Sequence, residues 1–138
     1  MRRFLTAAVL SAAALLALPS VAQDARQPEI EGVIQNQIEA FLRDDFDTAF
    51  TYASPNIKQL FGTSDRFGMM VRQGYPMVWR PASVQFLGLS DIGGQLWQIV
   101  VMRDGQGVYH TLGYQMIETP EGWQINGVQI LQDAQTGA

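Results

Sequence analysis

The sequence predicts a cone-shaped α+β domain in which three to four N-terminal helices cover the concave face of a curved four-stranded antiparallel sheet. Apolar residues recur with a helical period up to Gly74 and with a period of two after Tyr75-Pro76. Short Gly-rich turns separate the later apolar runs, which favours antiparallel neighbours. The helices have to cover the apolar face of this sheet, because that face would otherwise remain in water.

The first 22 residues have the pattern of a cleavable export signal. Arg2 and Arg3 precede an apolar run over 4–18, and Ser20-Val21-Ala22 places small residues before the expected cut. A membrane anchor is the alternative, but the run of 15 residues is shorter than the ~20 residues of a spanning helix. We therefore expect a signal peptide over 1–22, a flexible leader over 23–27, one domain over 28–132 and a disordered tail over 133–138, located in the periplasm or secreted.

The charge of the mature chain argues against two classes of partner. Removal of 22 residues from 138 leaves 116, with seven basic and thirteen acidic side chains and a net charge of −6. An acidic domain with scattered Arg lacks the basic patch that binds nucleic acid, and anionic lipid would repel it. There is no Cys, and a domain of this length needs neither a disulfide nor a metal to hold its core.

Four helical segments are expected before the change of period. The first runs over 28–43, with Pro28 in its first turn and Ile30, Ile34 and Ile38 on one face. Shorter helices follow over 48–53, where Asp47 is the expected cap, over 56–61, and from Thr63 or Ser64 to Gly74. Ser54-Pro55 combines a cap with a first-turn proline.

Four strands are expected over 83–90, 95–103, 108–118 and 123–132. A turn centred on Gly105-Gln106 places Arg103 opposite Val108 and Val101 opposite His110. One face then collects Val84, Phe86, Trp97, Ile99, Val101, His110, Leu112, Tyr114, Met116, Trp123 and Ile125. The apolar parity of the last strand changes at Asn126-Gly127, which predicts a bulge there.

The opposite, outer face of this sheet predicts a homodimer. In the same registers Leu87 falls opposite Val100 and Leu89 opposite Gln98, and no charged side chain falls on the central part of the face. A sheet face without charges is typical of an interface rather than of a surface in water. The residues expected to form this interface are Leu87, Leu89, Val100, Met102 and Tyr109.

The order of the elements and several short motifs resemble a known family. Ala49-Phe50, Ala53-Ser54-Pro55-Asn56-Ile57, Gly74-Tyr75-Pro76 and Gly122-Trp123-Gln124-Ile125-Asn126-Gly127-Val128 are the motifs that carry the resemblance. They are similar to the nuclear transport factor two-like (cystatin-like) fold and, more narrowly, to a small bacterial exported family known only as a domain of unknown function. The resemblance spans nearly all of 30–131 and implies a fold but no activity.

Few residues could carry chemistry. Asp44, Asp45 and Asp47 are the only dense acids, and a calcium loop begun at Asp45 lacks its Gly and has Asn56 at the position that needs Glu. We expect these acids to be helix ends and caps. The chain has no phosphate loop and no nucleophile elbow, so no cofactor or metal is expected.

His110 is the one side chain that could titrate near neutral pH. Tyr114 is about 13 Å and Glu118 about 26 Å further along the same strand, so Glu118 cannot form an acid–base dyad with His110. One reading is a core His bonded to a neighbour. The other is an isomerase- or dehydratase-like enzyme using His110 and Tyr114 in the cone, which the resemblance to ketosteroid isomerases and scytalone dehydratase implies.

The favoured function is a non-catalytic module that binds a small ligand or a protein through an apolar pocket. The strands offer no deep inward carboxylate, which counts against the enzyme. Arg72 and Arg80 are candidates to meet an anionic ligand at the mouth of the pocket. The expected pocket-lining residues are Met70, Tyr75, Phe86, Trp97, His110 and Tyr114.

Overall fold

The computed structural model describes the backbone of residues 24–135 and the side chains of residues 24–131. The predicted export signal and its cleavage site lie outside this range. The helices are α1 (Gln27–Leu42), α2 (Phe46–Thr51), α3 (Pro55–Phe61), α4 (Ser64–Gly74) and α5 (Pro76–Trp79). The strands are β1 (Ser83–Ile92), β2 (Gln95–Arg103), β3 (Tyr109–Thr119) and β4 (Gly122–Gln135). This order confirms the predicted α+β fold class.

Side-chain caps begin three of the helices. Asp45 accepts a hydrogen bond from the Thr48 amide at 3.1 Å and so caps α2, a role that the sequence analysis wrongly gave to Asp47. Ser54 caps α3 as expected, and Thr63 caps α4. Helix α5 was not predicted; Pro76 begins it instead of ending the helical region, because its missing N–H costs nothing in a first turn. No helix in this part of the chain has the length and hydropathy of a membrane span.

The sheet is antiparallel throughout, with the strands in chain order. Met116 faces Ile125 as predicted. The predicted bulge is also present, since Gln115 faces Gly127 and Asn126 is the extra residue. The bulge turns the inward side of β4 from Ile125 to Val128, so that both pack against the core.

The predicted register of β2 against β3 is wrong by one residue. Met102 faces His110, and Val100 faces Leu112. The cause is Asp104, whose Oδ1 accepts from the amides of Gln106 at 2.9 Å and Val108 at 3.0 Å. These bonds close a loop over 104–108, longer than the two-residue turn on which the prediction rested.

This shift exchanges the two faces of β2. Trp97, Ile99 and Val101 lie on the outer face, although they were expected on the concave one. Val100 and Met102, predicted on the outer face, are both 0% exposed and belong to the core. The dimer interface predicted from them therefore cannot contain these two residues.

A second correction concerns β1. A bulge between Phe86 and Leu89 places Phe86 opposite Val100 and keeps Leu89 opposite Gln98. The Leu87 carbonyl, freed from the ladder, accepts from the side-chain amides of Gln98 at 3.0 Å and Gln27 at 2.7 Å. Leu89 consequently packs against the core rather than lying on the outer face, while Leu87 and Tyr109 remain exposed.

The core lies between the concave face of the sheet and the helices. Helix α1 contributes Ile30, Ile34 and Ile38, each at most 1% exposed. At the other end of the helical layer the ring of Phe67 packs against three further phenylalanine rings at centroid distances of 5.2–5.8 Å. This aromatic cluster borders an apolar cavity beside the core.

Candidate functional site

A cavity of about 220 Å³ lies between α3, α4, the last turns of α1 and the middle of β4. Most of its wall is aliphatic or aromatic. The helices contribute Phe41, Ile57, Leu60, Phe61, Phe67, Met70, Val71 and Val78, and the sheet contributes Ile125, Gly127 and Val128. None of the residues that line it carries a charge, so the cavity suits an apolar, uncharged occupant.

Helix α3 forms the outer wall of this cavity. No residue of α3 is buried, and Leu60, which lines the cavity, is 74% exposed. A helix of about two turns, with one side towards the cavity and the other towards water, has few core contacts to hold it. The wall is therefore the part of the site whose movement disturbs the core least.

The start of α3 is firmly attached to β4. Ser54 is fully buried; its Oγ accepts from the Ile57 amide at 3.2 Å and donates to Asn126 Oδ1 at 2.7 Å. The Ser54 amide donates to the Ile125 carbonyl at 2.8 Å. At the other end Gly62 stops the helix with a positive φ of 77°. Helix α3 is thus fixed at its first residue and weakly held beyond it.

Two polar side chains also line the cavity. The hydroxyl of Tyr75 donates to the Val128 carbonyl at 3.1 Å. The side-chain nitrogen of Gln37, a residue 3% exposed, donates to the Ala49 carbonyl at 3.1 Å. The Tyr75 bond joins the helical layer to the sheet, and the Gln37 bond joins α1 to α2. Both side chains keep further hydrogen-bonding groups that are available to the cavity.

The structure brings only two of the six predicted pocket residues to this cavity. Met70 and Tyr75 line it. Phe86 packs against the core at the far strand β1. Trp97 lies on the outer face over Gly113, where a Cβ would come within 3.1 Å of its ring. His110 and Tyr114 point to the concave side but do not line the cavity.

His110 pairs with a carboxylate that the sequence analysis missed. Its Nε2 lies 2.9 Å from Asp104 Oδ2, and the imidazole is almost fully buried. The hydrogen bond from His110, followed by that from the Val108 amide, holds the pKa of Asp104 below its usual range. An Asp that opens a Gly-rich turn six residues before the only His was the available signal. The pair corresponds to the first interpretation of His110, a core histidine that is hydrogen-bonded to a neighbouring residue.

Tyr114 has no access to a ligand in this structure. Its side chain is fully buried, and neither its hydroxyl nor Oε1 of the facing Gln98 has a hydrogen-bond partner among the described residues. Burial raises the pKa of the Tyr114 phenol. Leu112, fully buried, stands between His110 and Tyr114 on the strand. The two polar groups therefore share no cavity within residues 24–131.

The two arginines predicted at the mouth of the pocket lie elsewhere. Arg80 donates to the Phe41 carbonyl at 2.6 Å and to Asp44 Oδ1 at 2.8 Å. Trp79 Nε1 donates to the same oxygen at 2.9 Å, and the indole bond, with that of Arg80, lowers the pKa of Asp44. Arg72 lies 4.9 Å over the Trp79 ring, beside an open surface groove. This cluster fixes the end of α1 rather than the cavity.

The acidic residues predicted to be caps and helix ends are all engaged. Asp44 holds Trp79 and Arg80, Asp45 caps α2, and Asp47 accepts a hydrogen bond from Ser64. In the described part of the chain no three His, Asp or Glu side chains come together as metal ligands. These three carboxylates therefore accept hydrogen bonds that hold helix ends and neighbouring side chains in place.

Gln37 is the cavity residue that the sequence analysis missed. It follows Ile34 by three residues and precedes Phe41 by four, so it falls within the apolar stripe of α1. A polar side chain inside such a stripe has to find a buried partner, which for Gln37 is the Ala49 carbonyl. This break in the stripe was a visible signal for a polar group in the core.

Comparison with protein families gives one match: the model described as Domain of unknown function (DUF4864) matches residues 23–138. The searches of curated proteins and of solved structures gave no significant match.

Proposed function

The chain belongs to the DUF4864 family of domains of unknown function, and we propose that it is an exported, periplasmic module that binds a small apolar molecule without chemical conversion. The observation that carries this proposal is the uncharged cavity beneath α3. The cone expected from the resemblance to the nuclear transport factor two-like fold supports the same location for a ligand.

The size of the cavity limits the ligand. A dry cavity of about 150 Å³ is enough to bind benzene, and drug-sized ligands occupy roughly 300–1,000 Å³. At about 220 Å³, the cavity fits a substituted single ring or a short branched chain. Such a ligand gains mainly from removal of its apolar surface from water.

Binding without catalysis is favoured by the placement of the titratable groups. A general acid or base has to come within hydrogen-bonding reach of the reacting atoms. His110 is bonded to Asp104 outside the cavity, and Tyr114 is sealed in the core. The alternative enzyme using His110 and Tyr114 would need both groups in one ligand site, an arrangement for which the described residues give no support.

Ethylbenzene is a suitable probe for the cavity. We expect saturable binding, followed by NMR shift changes at Ile57, Met70 and Val128. Ile57→Trp, which fills the cavity from α3, should weaken binding at least tenfold. Gln59→Trp, an exposed position on the same helix, is the matched control and should bind normally. Absence of binding to the wild type, or equal effects of both substitutions, would contradict the proposal.

Export is tested separately. We expect the mature protein to begin at Gln23 and to be found in the periplasmic fraction, because 1–22 has the pattern of a cleaved signal. N-terminal sequencing of the exported protein decides this. A mature chain that retains residues 4–18 would refute cleavage.

A homodimer through the outer face of the sheet remains a second proposal, with a corrected set of residues. Arg103 is the only charged side chain among those described on this face of the paired strands. Leu87, Tyr109 and Leu131 are 41%, 51% and 49% exposed. An exposed sheet face that is poor in charge suits contact with a second copy.

The dimer is tested by light scattering. Tyr109→Glu and Leu131→Glu each place a charge on the outer face and should give a monomer. Leu42→Glu, at a residue 46% exposed on the end of α1, is the control and should leave the mass unchanged. A wild-type monomer would end this proposal.

A further inference from the structure

We infer that the cavity selects neutral apolar molecules that carry a hydrogen-bond donor, such as a phenol or an alcohol, and that Gln37 is the residue that binds this donor. The inference rests on the proposed function, because it requires the cavity to bind a ligand. It adds the chemical class of that ligand and the polar atom that recognises it.

The orientation of the Gln37 amide is fixed. Its nitrogen donates to the Ala49 carbonyl at 3.1 Å. Because a carbonyl oxygen can only accept, the nitrogen has to face Ala49, and the oxygen Oε1 has to lie on the other branch of the amide. The position of Gln37 in the cavity wall therefore presents an acceptor of known orientation.

This acceptor has no partner and is still reachable. No described residue donates a hydrogen bond to Gln37 Oε1. The unpartnered oxygens of Gln98 and Gln124 are completely sealed, whereas that of Gln37 is not among the sealed atoms, although the whole residue is only 3% exposed. The accessible part of this buried side chain thus includes an unused acceptor.

The other polar side chain of the cavity does not supply a competing donor. Tyr75 has one hydroxyl proton, and it is used in the bond to the Val128 carbonyl. What the Tyr75 oxygen retains is acceptor capacity. The side chains of the cavity therefore offer mainly acceptors, with the second N–H of Gln37 as the remaining donor.

The hydrogen-bonding groups of the cavity distinguish three kinds of ligand. A hydroxyl can donate to Gln37 Oε1 and accept from the remaining N–H of the same amide. A pure hydrocarbon of the same shape leaves the oxygen unpaired, which costs the hydrogen bond. A carboxylate would enter a cavity without a cation, and an unpaired charge in such surroundings is strongly disfavoured.

The test compares 4-ethylphenol, ethylbenzene and 4-ethylbenzoate on the wild-type protein by calorimetry or NMR titration. We expect 4-ethylphenol to bind about 2- to 10-fold more tightly than ethylbenzene, the ratio that one net hydrogen bond gives, and 4-ethylbenzoate not to bind. Gln37→Met, which keeps the volume and removes the acceptor, should abolish the preference for the phenol. Gln35→Met, the same substitution at a residue of α1 that does not line the cavity, is the control and should keep it.

The outcomes separate the two proposals. Equal binding of 4-ethylphenol and ethylbenzene overturns the role of Gln37 and leaves the apolar site standing. Tyr75→Phe removes the other acceptor of the cavity, and loss of the preference in this variant but not in Gln37→Met would mean that Tyr75 accepts from the ligand's hydroxyl, which also overturns the inference. If none of the three molecules binds, the proposed function itself fails. The comparison on the wild type decides the question even if Gln37→Met does not fold.

Discussion

Helices α1 and α3 lie in the same layer but have opposite relations to the core. Helix α1 has 16 residues and buries six of them, whereas α3 has seven residues and buries none. The first helix fills the concave face of the sheet, and the second covers a space beside it. The contrast indicates that stability and access to the cavity are assigned to different elements, as is common where ligand sites use the less stable parts of a fold.

The largest expected effect separates the two helices directly. Ile34→Ala, at a fully buried position of α1, should lower the free energy of unfolding by about 2–5 kcal/mol, because it removes apolar contacts and leaves a cavity. Leu60→Ala, on the exposed wall α3, should change it by no more than about 0.5 kcal/mol. Urea denaturation of both variants measures the difference. Similar losses of unfolding free energy in the two variants would contradict the division of roles between α1 and α3.

The attachment of α3 gives the next effect. Ser54→Ala removes the cap bond to the Ile57 amide and the bond to Asn126, so we expect a loss of about 1–2 kcal/mol. Hydrogen exchange should rise over 55–61 more than over 30–42. Thr63→Ala, which removes the cap of α4, is the control that should leave exchange in α3 unchanged. Uniform acceleration in both helices would show that α3 is not separately attached.

Polar groups on the packed side of the molecule should behave differently from Gln37. The hydroxyl of Tyr114 is buried without a partner, so Tyr114→Phe removes an unpaired polar atom and should stabilise the fold by up to about 1 kcal/mol. Tyr75→Phe removes a bonded hydroxyl and should destabilise by a similar amount. Thermal unfolding compares the two. A destabilised Tyr114→Phe would show that its hydroxyl has a partner in solution.

The smallest effect concerns the far end of the sheet. Because the pKa of Asp104 is lowered in the folded state, its charge contributes stability above the unfolded value of 3.8, and this contribution is lost as pH falls through the lower folded pKa. Asp104→Asn should therefore be less stable than the wild type at neutral pH, and the difference should shrink as pH falls below 3.8 and through the lowered folded pKa. A difference that is constant with pH would contradict the pairing with His110.

The sequence was sufficient to predict the fold class and the pairing of β3 with β4 near its turn. The turn at Gly122 and the parity change at Asn126-Gly127 gave the pairing of Met116 with Ile125 and the bulge. In β3 the inward side chains of Leu112, Tyr114 and Met116 alternate in the sequence with small or polar residues, so only one assignment of faces was consistent.

The faces of β2 could not be read in this way. Leu96, Val100 and Met102 on one side are as apolar as Trp97, Ile99 and Val101 on the other. Periodicity therefore does not choose between them, and the length of the next turn decides. That length depends on a side-chain-to-backbone bond of Asp104, which no hydrophobic pattern records.

The cavity was harder still to predict. Two of its polar determinants come from interactions between elements: Gln37 with the segment of α2, and Tyr75 with β4. Met70 was found because it lies on the apolar face of α4, and Tyr75 because it follows the end of that helix, near Arg72 and Arg80 in the sequence. Gln37 interrupts the apolar stripe of α1 in the sequence, but its partner, the Ala49 carbonyl, depends on how α2 folds back over α1.

The two sides of β2 are similarly apolar, so the hydrophobic pattern of this strand is compatible with two registers. In one, Val100 and Met102 face the helices; in the other, reached by shortening a single loop by one residue, Trp97 and Val101 would take their place. Both registers keep the alternation of the strand, and the Asp104 carboxylate favours the observed one, with one oxygen on the loop amides and the other on His110. The Asp104–His110 pair thereby stabilises the observed register of the sheet against a shift by one residue.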